Sequence, residues 1–211
     1  MVKGLIQDNP IRKLKVEDMN RMSVGQRFWN VTMASIPDES SVKEPLQKWI
    51  NNIKYNLCNG VGLLLFGSYG QGKTSAAVIA MKNTVVRGGT AYLIRGNQLK
   101  DAIINNLQFD SDETIKERTK SVDLLVLDDL GSEHDSAFNI SMIEEILRDR
   151  SDNKKATIIT TNLSGPNLKS KFGESLVSFL SATLISVECA GHDFRAIERT
   201  EIKNIKNNGG N

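Results

Sequence analysis

Nowhere in the 211 residues does an apolar run approach the roughly 18 to 20 residues that a bilayer-spanning helix needs, so no membrane association is expected. The opening residues, Met1-Val2-Lys3-Gly4-Leu5-Ile6-Gln7-Asp8, hold no apolar stretch of signal-peptide length. Cysteine is scarce. Cys58 and Cys189 stand far apart and offer neither a disulfide framework nor a zinc site, which suits a reducing cytoplasm. His134 and His192 have no Cys or His at metal-ligand spacing and read as turn or surface residues. An excess of one charge is missing too. The 27 Lys and Arg against 25 Asp and Glu leave +2, too little to argue for a nucleic-acid partner by itself. No internal repeat or low-complexity tract interrupts the chain.

What is present is the balance of a globular protein, 39% hydrophobic and 25% charged, in a length that makes one domain with a real core. Residues 1–40 read as an N-terminal arm with weak periodicity and an apolar patch at Phe28, Trp29, Val31 and Met33. Residues 1–30 carry six cations (Lys3, Arg12, Lys13, Lys15, Arg21, Arg27) against three anions (Asp8, Glu17, Asp18), a local +3 that suits either phosphate contact or a solvated arm. Ser41 is placed to cap a helix in which Pro45 sits in the first turn. Leu46, Trp49, Ile50, Ile53 and Leu57 share one face, and Asn59-Gly60 ends it. From there strands and helices alternate. Strands are expected at 61–66, 90–94, 123–127, 156–160 and 184–189, and helices at 73–86, 98–106, 139–150 and 173–182. Residues 107–121 read as a loop with a short helix. Five strands with intervening helices predict an α/β core over residues 41–195, a five-stranded parallel sheet with helices on both faces, followed by a polar tail at 196–211.

Three segments carry chemistry, each at the carboxyl end of an expected strand. The first is Gly67-Ser68-Tyr69-Gly70-Gln71-Gly72-Lys73-Thr74, the pattern G-x-x-x-x-G-K-[ST] between a strand and a helix. Its glycines permit the backbone angles that turn N–H groups toward phosphate oxygens, and the helix adds the positive end of its dipole. Lys73 supplies a point charge for the β- and γ-phosphates, and Thr74 a hard oxygen for Mg²⁺. Tyr69 and Gln71 are the loop's variable positions. The second is the apolar strand Asp123–Leu127 with Asp128 and Asp129 at its end. Asp128 suits the Mg²⁺ shell, and Asp129 suits polarising the attacking water. The third is Thr157–Asn162, where Asn162 is placed to hold that water or touch the γ-phosphate. Taken singly, each has a bland reading: a flexible glycine loop, a strand stopping at a polar turn, an asparagine entering a turn. Together they predict Mg²⁺·ATP. No guanine-reading Asn/Thr-Lys-x-Asp motif is present, so adenine is favoured by default.

These stretches resemble the DnaC/DnaI/IstB group of AAA+ ATPases. The resemblance runs from about Phe28 to Arg195 and rests on Leu64–Thr74, on Asp128-Asp129-Leu130-Gly131-Ser132-Glu133, on Thr160-Thr161-Asn162-Leu163 and on Gly191-His192-Asp193-Phe194-Arg195. It implies a P-loop NTPase core with no full helical lid, for which the 16 residues after Arg195 would leave no room. It further implies a helicase loader coupling ATP to single-stranded DNA and a replicative helicase, working as a homo-oligomer. A transposition helper and a nucleotide-gated binding module with little hydrolysis are the other readings. Group members carry an arginine that reaches a neighbour's γ-phosphate; the corresponding position here is Phe179. The resemblance therefore implies slow hydrolysis or an arginine from elsewhere, with Arg195, Arg148 and Arg150 as candidates. Arg148 and Arg150 read equally well as a solvated helix end. A separate folded helicase-binding region is not expected before Phe28. Lys154, Lys155, Lys169 and Lys171, with no aromatic residues between them, suit a solvated edge better than a DNA track.

Overall fold

The computed structural model describes residues 11–96, 98–99, 115–132 and 137–191, with the side chains of 137–139 outside that description. Its centre is the sheet. Strands β1 (Gly62–Phe66), β2 (Ala91–Arg95), β3 (Leu124–Leu130), β4 (Ala156–Thr161) and β5 (Leu184–Glu188) run parallel in the order β2-β3-β4-β1-β5. The apolar runs look featureless in sequence, yet a strand sends alternate residues to opposite faces. Leu63, Leu65, Leu93, Leu124, Val126 and Ile158 enter one core, and Leu64, Ile94, Leu125, Leu127 and Ile159 enter the other.

The first core is covered by α2 (Lys43–Asn51), α3 (Ile53–Asn59) and α4 (Lys73–Val86), the second by α6 (Ala137–Asp152) and α7 (Gly165–Thr183). A short α5 (Ile115–Ser121) precedes β3, and Tyr92 and Val122 extend the second core. Helix α4 is buried almost all round, and Ala76, Ala77 and Ala80 let it lie close on β2, β3 and β4. That places the loop at its N-terminus over the carboxyl edge of the sheet.

Three expectations need correction. The single helix from Ser41 is two. Its apolar face is buried as expected, at Leu46, Trp49, Ile50, Ile53 and Leu57, but Asn52 (φ −105°, ψ 22°) breaks it. The Asn52 amide donates to the Lys48 carbonyl and that of Asn56 to the Trp49 carbonyl, each satisfying the end of α2 from a side chain. Ser41 caps nothing; its hydroxyl donates to Glu188 O and accepts from Ala190 N–H, tying the segment before α2 to the end of β5. Helix α7 begins eight residues before the expected Gly173, with Pro166 in its first turn, and Gly173 (φ 82°) marks a kink.

Of the arm, α1 (Val16–Arg21) and its neighbours pack on the α4 side. Met19, Met22, Val24 and Ile36 join the first core. The Leu93 N–H donates to Met22 O (2.9 Å), so the arm also takes a donor of the edge strand β2. Lys82, buried on α4, donates to the carbonyls of Phe28 (3.0 Å), Trp29 (2.8 Å) and Val31 (2.7 Å), and burial lowers its pKa. Among the described residues, no helix is long and apolar enough to cross a membrane.

Candidate functional site

Parallel strands bring the ends of β1, β3 and β4 to one edge of the sheet, and the three chemical segments meet there. The loop after β1 turns on Gly67 (φ 138°), Gly70 (φ 81°) and Gly72 (φ 75°). Gly67 is required for a second reason. A Cβ there would lie 2.3 Å from the Cys189 carbonyl oxygen, beside the Cys189 N–H bond to Phe66 O (2.7 Å). The Cys189 thiol is buried and pushed up to about 11 by that burial, so it stays protonated at neutral pH. Lys73, 7% exposed, folds into the loop and donates to Gly67 O (2.8 Å) and Ser68 O (2.6 Å). Tyr69 stands 65% exposed at the mouth.

The acidic segment is organised by a bulge. Pairing between β3 and β4 shifts register between Leu127 and Leu130, and Asp129 takes a left-handed conformation (φ 58°), costly for a residue with a Cβ. Two hydroxyls converge on one oxygen of Asp128: Thr74 Oγ1 and Thr160 Oγ1 each donate to Oδ1 at 2.8 Å. Thr160 Oγ1 in turn accepts the Asp129 N–H (2.9 Å), so one threonine holds both aspartates. Asn162 Nδ2 donates to Asp129 Oδ1 (2.6 Å). The other oxygen of Asp128 faces Arg95, with Nε 4.0 Å away. The Thr74 hydroxyl and the Asp128 carboxylate form a hard-oxygen pair that fits Mg²⁺, an ion that takes its remaining ligands from water and phosphate.

In the loop and beside it, Gln71 Oε1 and Ser40 Oγ are buried with no hydrogen-bond partner among the described residues. Both flank Gly191, whose Cβ position would lie 3.7 Å from Gln71 Oε1 and 3.8 Å from Ser40 Cα. Orphaned buried acceptors are rare and mark places where a polar ligand or water belongs.

Every loop residue, Asp128, Asp129 and Asn162 therefore gather at one edge, whereas Arg195 lies outside the described residues. Arg150 is neither a solvated helix end nor a nucleotide contact. It is fully buried and donates to the carbonyls of Thr119, Lys120, Val122 and Ala156 and to Thr157 Oγ1. Burial pushes its guanidinium down to about 9, against the pull of Asp123 and Asp149, and it remains charged at neutral pH. Arg148 is exposed, paired with Glu144 and Ser175 and stacked 4.9 Å over the Phe179 ring. Sequence reasoning assigned no role to Thr160 or Arg95. Arg95 ends β2 and Thr160 is the last residue but one of β4, at the same edge as the aspartates, which was the available signal.

Residues 49–185 match the family described as IstB-like ATP binding protein. The chain belongs to this family. It is similar to the replicative helicase loader DnaC of Buchnera aphidicola subsp. Acyrthosiphon pisum (strain APS), 21% identical over 178 residues that cover 82% of this chain and 72% of that protein. Among solved structures, that of the DnaC helicase loader superposes with a TM-score of 0.71 and 28% identity, covering 79% of this chain and all of the other. The crystal structure of the DnaI gives 0.67 at 18% identity, over 81% and 94% of the two chains. The replication initiator DnaA bound to AMPPCP and single-stranded DNA gives 0.66 at 20%, with this chain spanning 56% of its length. The last two speak for the fold alone. This IstB-like protein thus has an AAA+ ATP-binding fold like that of DnaC and DnaA and is a distant relative of the DnaC helicase loader.

Proposed function

We propose that this ATP-binding protein is a Mg²⁺-dependent ATPase of DNA replication, coupling its nucleotide state to single-stranded DNA and to a hexameric replicative helicase. The observation that carries the catalytic part is the hydroxyl-locked pair of aspartates. Thr74 and Thr160 fix Asp128, Thr160 also fixes Asp129, and Asn162 orients the Asp129 carboxylate. In this reading Gly67–Thr74 cradles the phosphates through backbone N–H groups, and Lys73 exchanges its loop carbonyls for β- and γ-phosphate oxygens. Thr74 and Asp128 hold Mg²⁺, which when bound neutralises charge on the triphosphate. Asp129 takes a proton from the water that attacks the γ-phosphorus as the bond to the ADP oxygen breaks, and Asn162 positions that water. Turnover is slow, because Phe179 sits under Arg148 where the resemblance expects a free arginine.

The loader role rests on the relatives. DnaC is a helicase loader by description, and the DnaA of similar fold was seen with single-stranded DNA. Co-purification with the replicative helicase of the same cell or its phage, with ATP and single-stranded DNA present, tests it. ATP-dependent association is expected. Turnover with duplex DNA and a transposase, and no helicase association, would replace the loader by the transposition helper; binding of ATP without turnover under either condition would leave a nucleotide-gated binding module.

A further inference from the structure

Arg95 ends the edge strand β2, where Ala91, Tyr92, Leu93 and Ile94 are all buried and the arginine emerges at the carboxyl edge. Its register partner across the sheet is Asp128. Among the described residues its charge faces only that carboxylate, and at 4.0 Å the contact is an ion pair without a hydrogen bond. The other structurally paired arginines differ. Arg12 is bidentate on Asp18, Arg87 bonds Asn83, Arg118 bonds the Arg21 carbonyl, Arg148 bonds Glu144, and Arg150 is saturated by five acceptors. Arg95 has its planar fork of donors uncommitted, a 46% exposed side chain, and a location one strand from the oxygen that also binds Thr74.

We propose that Arg95 is a cis-acting contact to the γ-phosphate, by which this chain distinguishes nucleoside triphosphate from diphosphate without an arginine from a neighbouring copy. This rests on the nucleotide-site reading above. Asp128 gives Oδ1 to two hydroxyls and has Oδ2 toward the guanidinium. When Asp128 shares its charge with a divalent cation, its hold on Arg95 weakens. The Asp129 carboxylate at this edge is already engaged by Asn162, and the terminal phosphate of a bound triphosphate would offer tetrahedral oxygens that match the guanidinium fork. In the nucleotide-site reading the β-phosphate sits in the glycine loop, where the backbone N–H groups and Lys73 serve it in ATP and ADP alike. A γ-phosphate contact therefore acts on ATP and leaves ADP almost untouched.

The test is equilibrium binding of ADP and of β,γ-methylene ATP, by calorimetry, to wild type, Arg95→Ala and Arg95→Lys, with thermal unfolding of each as a check on folding. Arg95→Ala is expected to weaken the triphosphate analogue about 10- to 100-fold, the range of a charge-assisted hydrogen bond, and ADP less than about 3-fold. Arg95→Lys, keeping the charge but not the fork, recovers part of the loss and carries the test by itself if the alanine variant fails to fold. Equal weakening of both nucleotides would reduce Arg95 to a partner that shapes Asp128, and unchanged affinity for both would remove it from the site; either result overturns the proposal. Wild-type protein that binds neither nucleotide would instead overturn the site reading beneath it, an outcome the ADP arm reports separately.

Discussion

Thr160 shows how much of this site depends on one hydroxyl. It accepts from the Asp129 backbone and donates to the Asp128 carboxylate, so the strained bulge and the oxygen proposed to serve Mg²⁺ are held by the same atom. Thr160→Val keeps the β-branched shape and deletes both bonds. The lost bond to a charged group costs about 1.5–3 kcal/mol, and freeing the bulge moves the carboxylates off line. The expected result is ATP turnover at least about 10-fold lower with nucleotide affinity within about 3-fold, separated by single-turnover and binding measurements. Unchanged turnover would show that Asp128 and Asp129 are positioned without it. Arg150 is the counterexample for legibility. Its place on an amphipathic helix end suited either a nucleotide-reaching arginine or a solvated one, but its five acceptors are mostly backbone carbonyls, which leave no trace in a side-chain pattern. Arg150→Met would bury those acceptors unpaired, and urea denaturation should show a loss above about 4 kcal/mol, at the far end of single-substitution effects.

At the scale of elements, the strands and α4 were legible because burial on both faces leaves continuous apolar runs, and because a glycine loop followed by lysine announces the helix start. What periodicity could not show is where a helix breaks without losing its face. Asn52 interrupts α2–α3 while Ile53 and Leu57 stay in phase. The attachment of the arm was hidden for a related reason: Lys82 grips carbonyls, and the Met22 carbonyl takes the Leu93 N–H. At the front of the arm, Asp18 is gripped by Arg12 through both oxygens and accepts the Lys15 N–H. The Arg12 guanidinium above all, helped by that N–H, holds the Asp18 carboxyl down at about 2. A carboxyl depressed on folding stabilises the fold above its unfolded pKa near 4 and loses that contribution as pH falls from about 4 to 2. The shift corresponds to about 2 kcal/mol as a ceiling, nearer about 1 because Arg12 is 44% exposed. Asp18→Asn should therefore lower Tm by roughly 2–4 °C at pH 7, with the gap to wild type closing toward pH 2. A gap independent of pH would mean that packing, and not charge, anchors α1.

For the whole molecule, the decisive property is that two cores and one loop meet at a single sheet edge. β1 delivers the loop, β3 the aspartates and β4 the asparagine, and the order β2-β3-β4-β1-β5 sets these strands side by side with Arg95 flanking them on β2. A ligand bridging them ties α4, on one face, to the sheet and so to both cores. Binding to the native state alone stabilises it by RT ln(1 + [L]/Kd), about 2.7 kcal/mol at a hundredfold excess over Kd. For a chain of this size that corresponds to a rise in Tm of roughly 5–10 °C. Mg²⁺ with β,γ-methylene ATP should produce that rise in wild type. Lys73→Ala should abolish it: Lys73 is buried in the loop, and its loss removes the charge that the phosphates need. Thr74→Val should keep part of the shift without Mg²⁺ and gain little when Mg²⁺ is added, since the hydroxyl bonded to Asp128 is the ligand it lacks. A wild-type shift that is the same with and without Mg²⁺ would remove the Thr74–Asp128 pair from the nucleotide site and leave the glycine loop as its sole anchor.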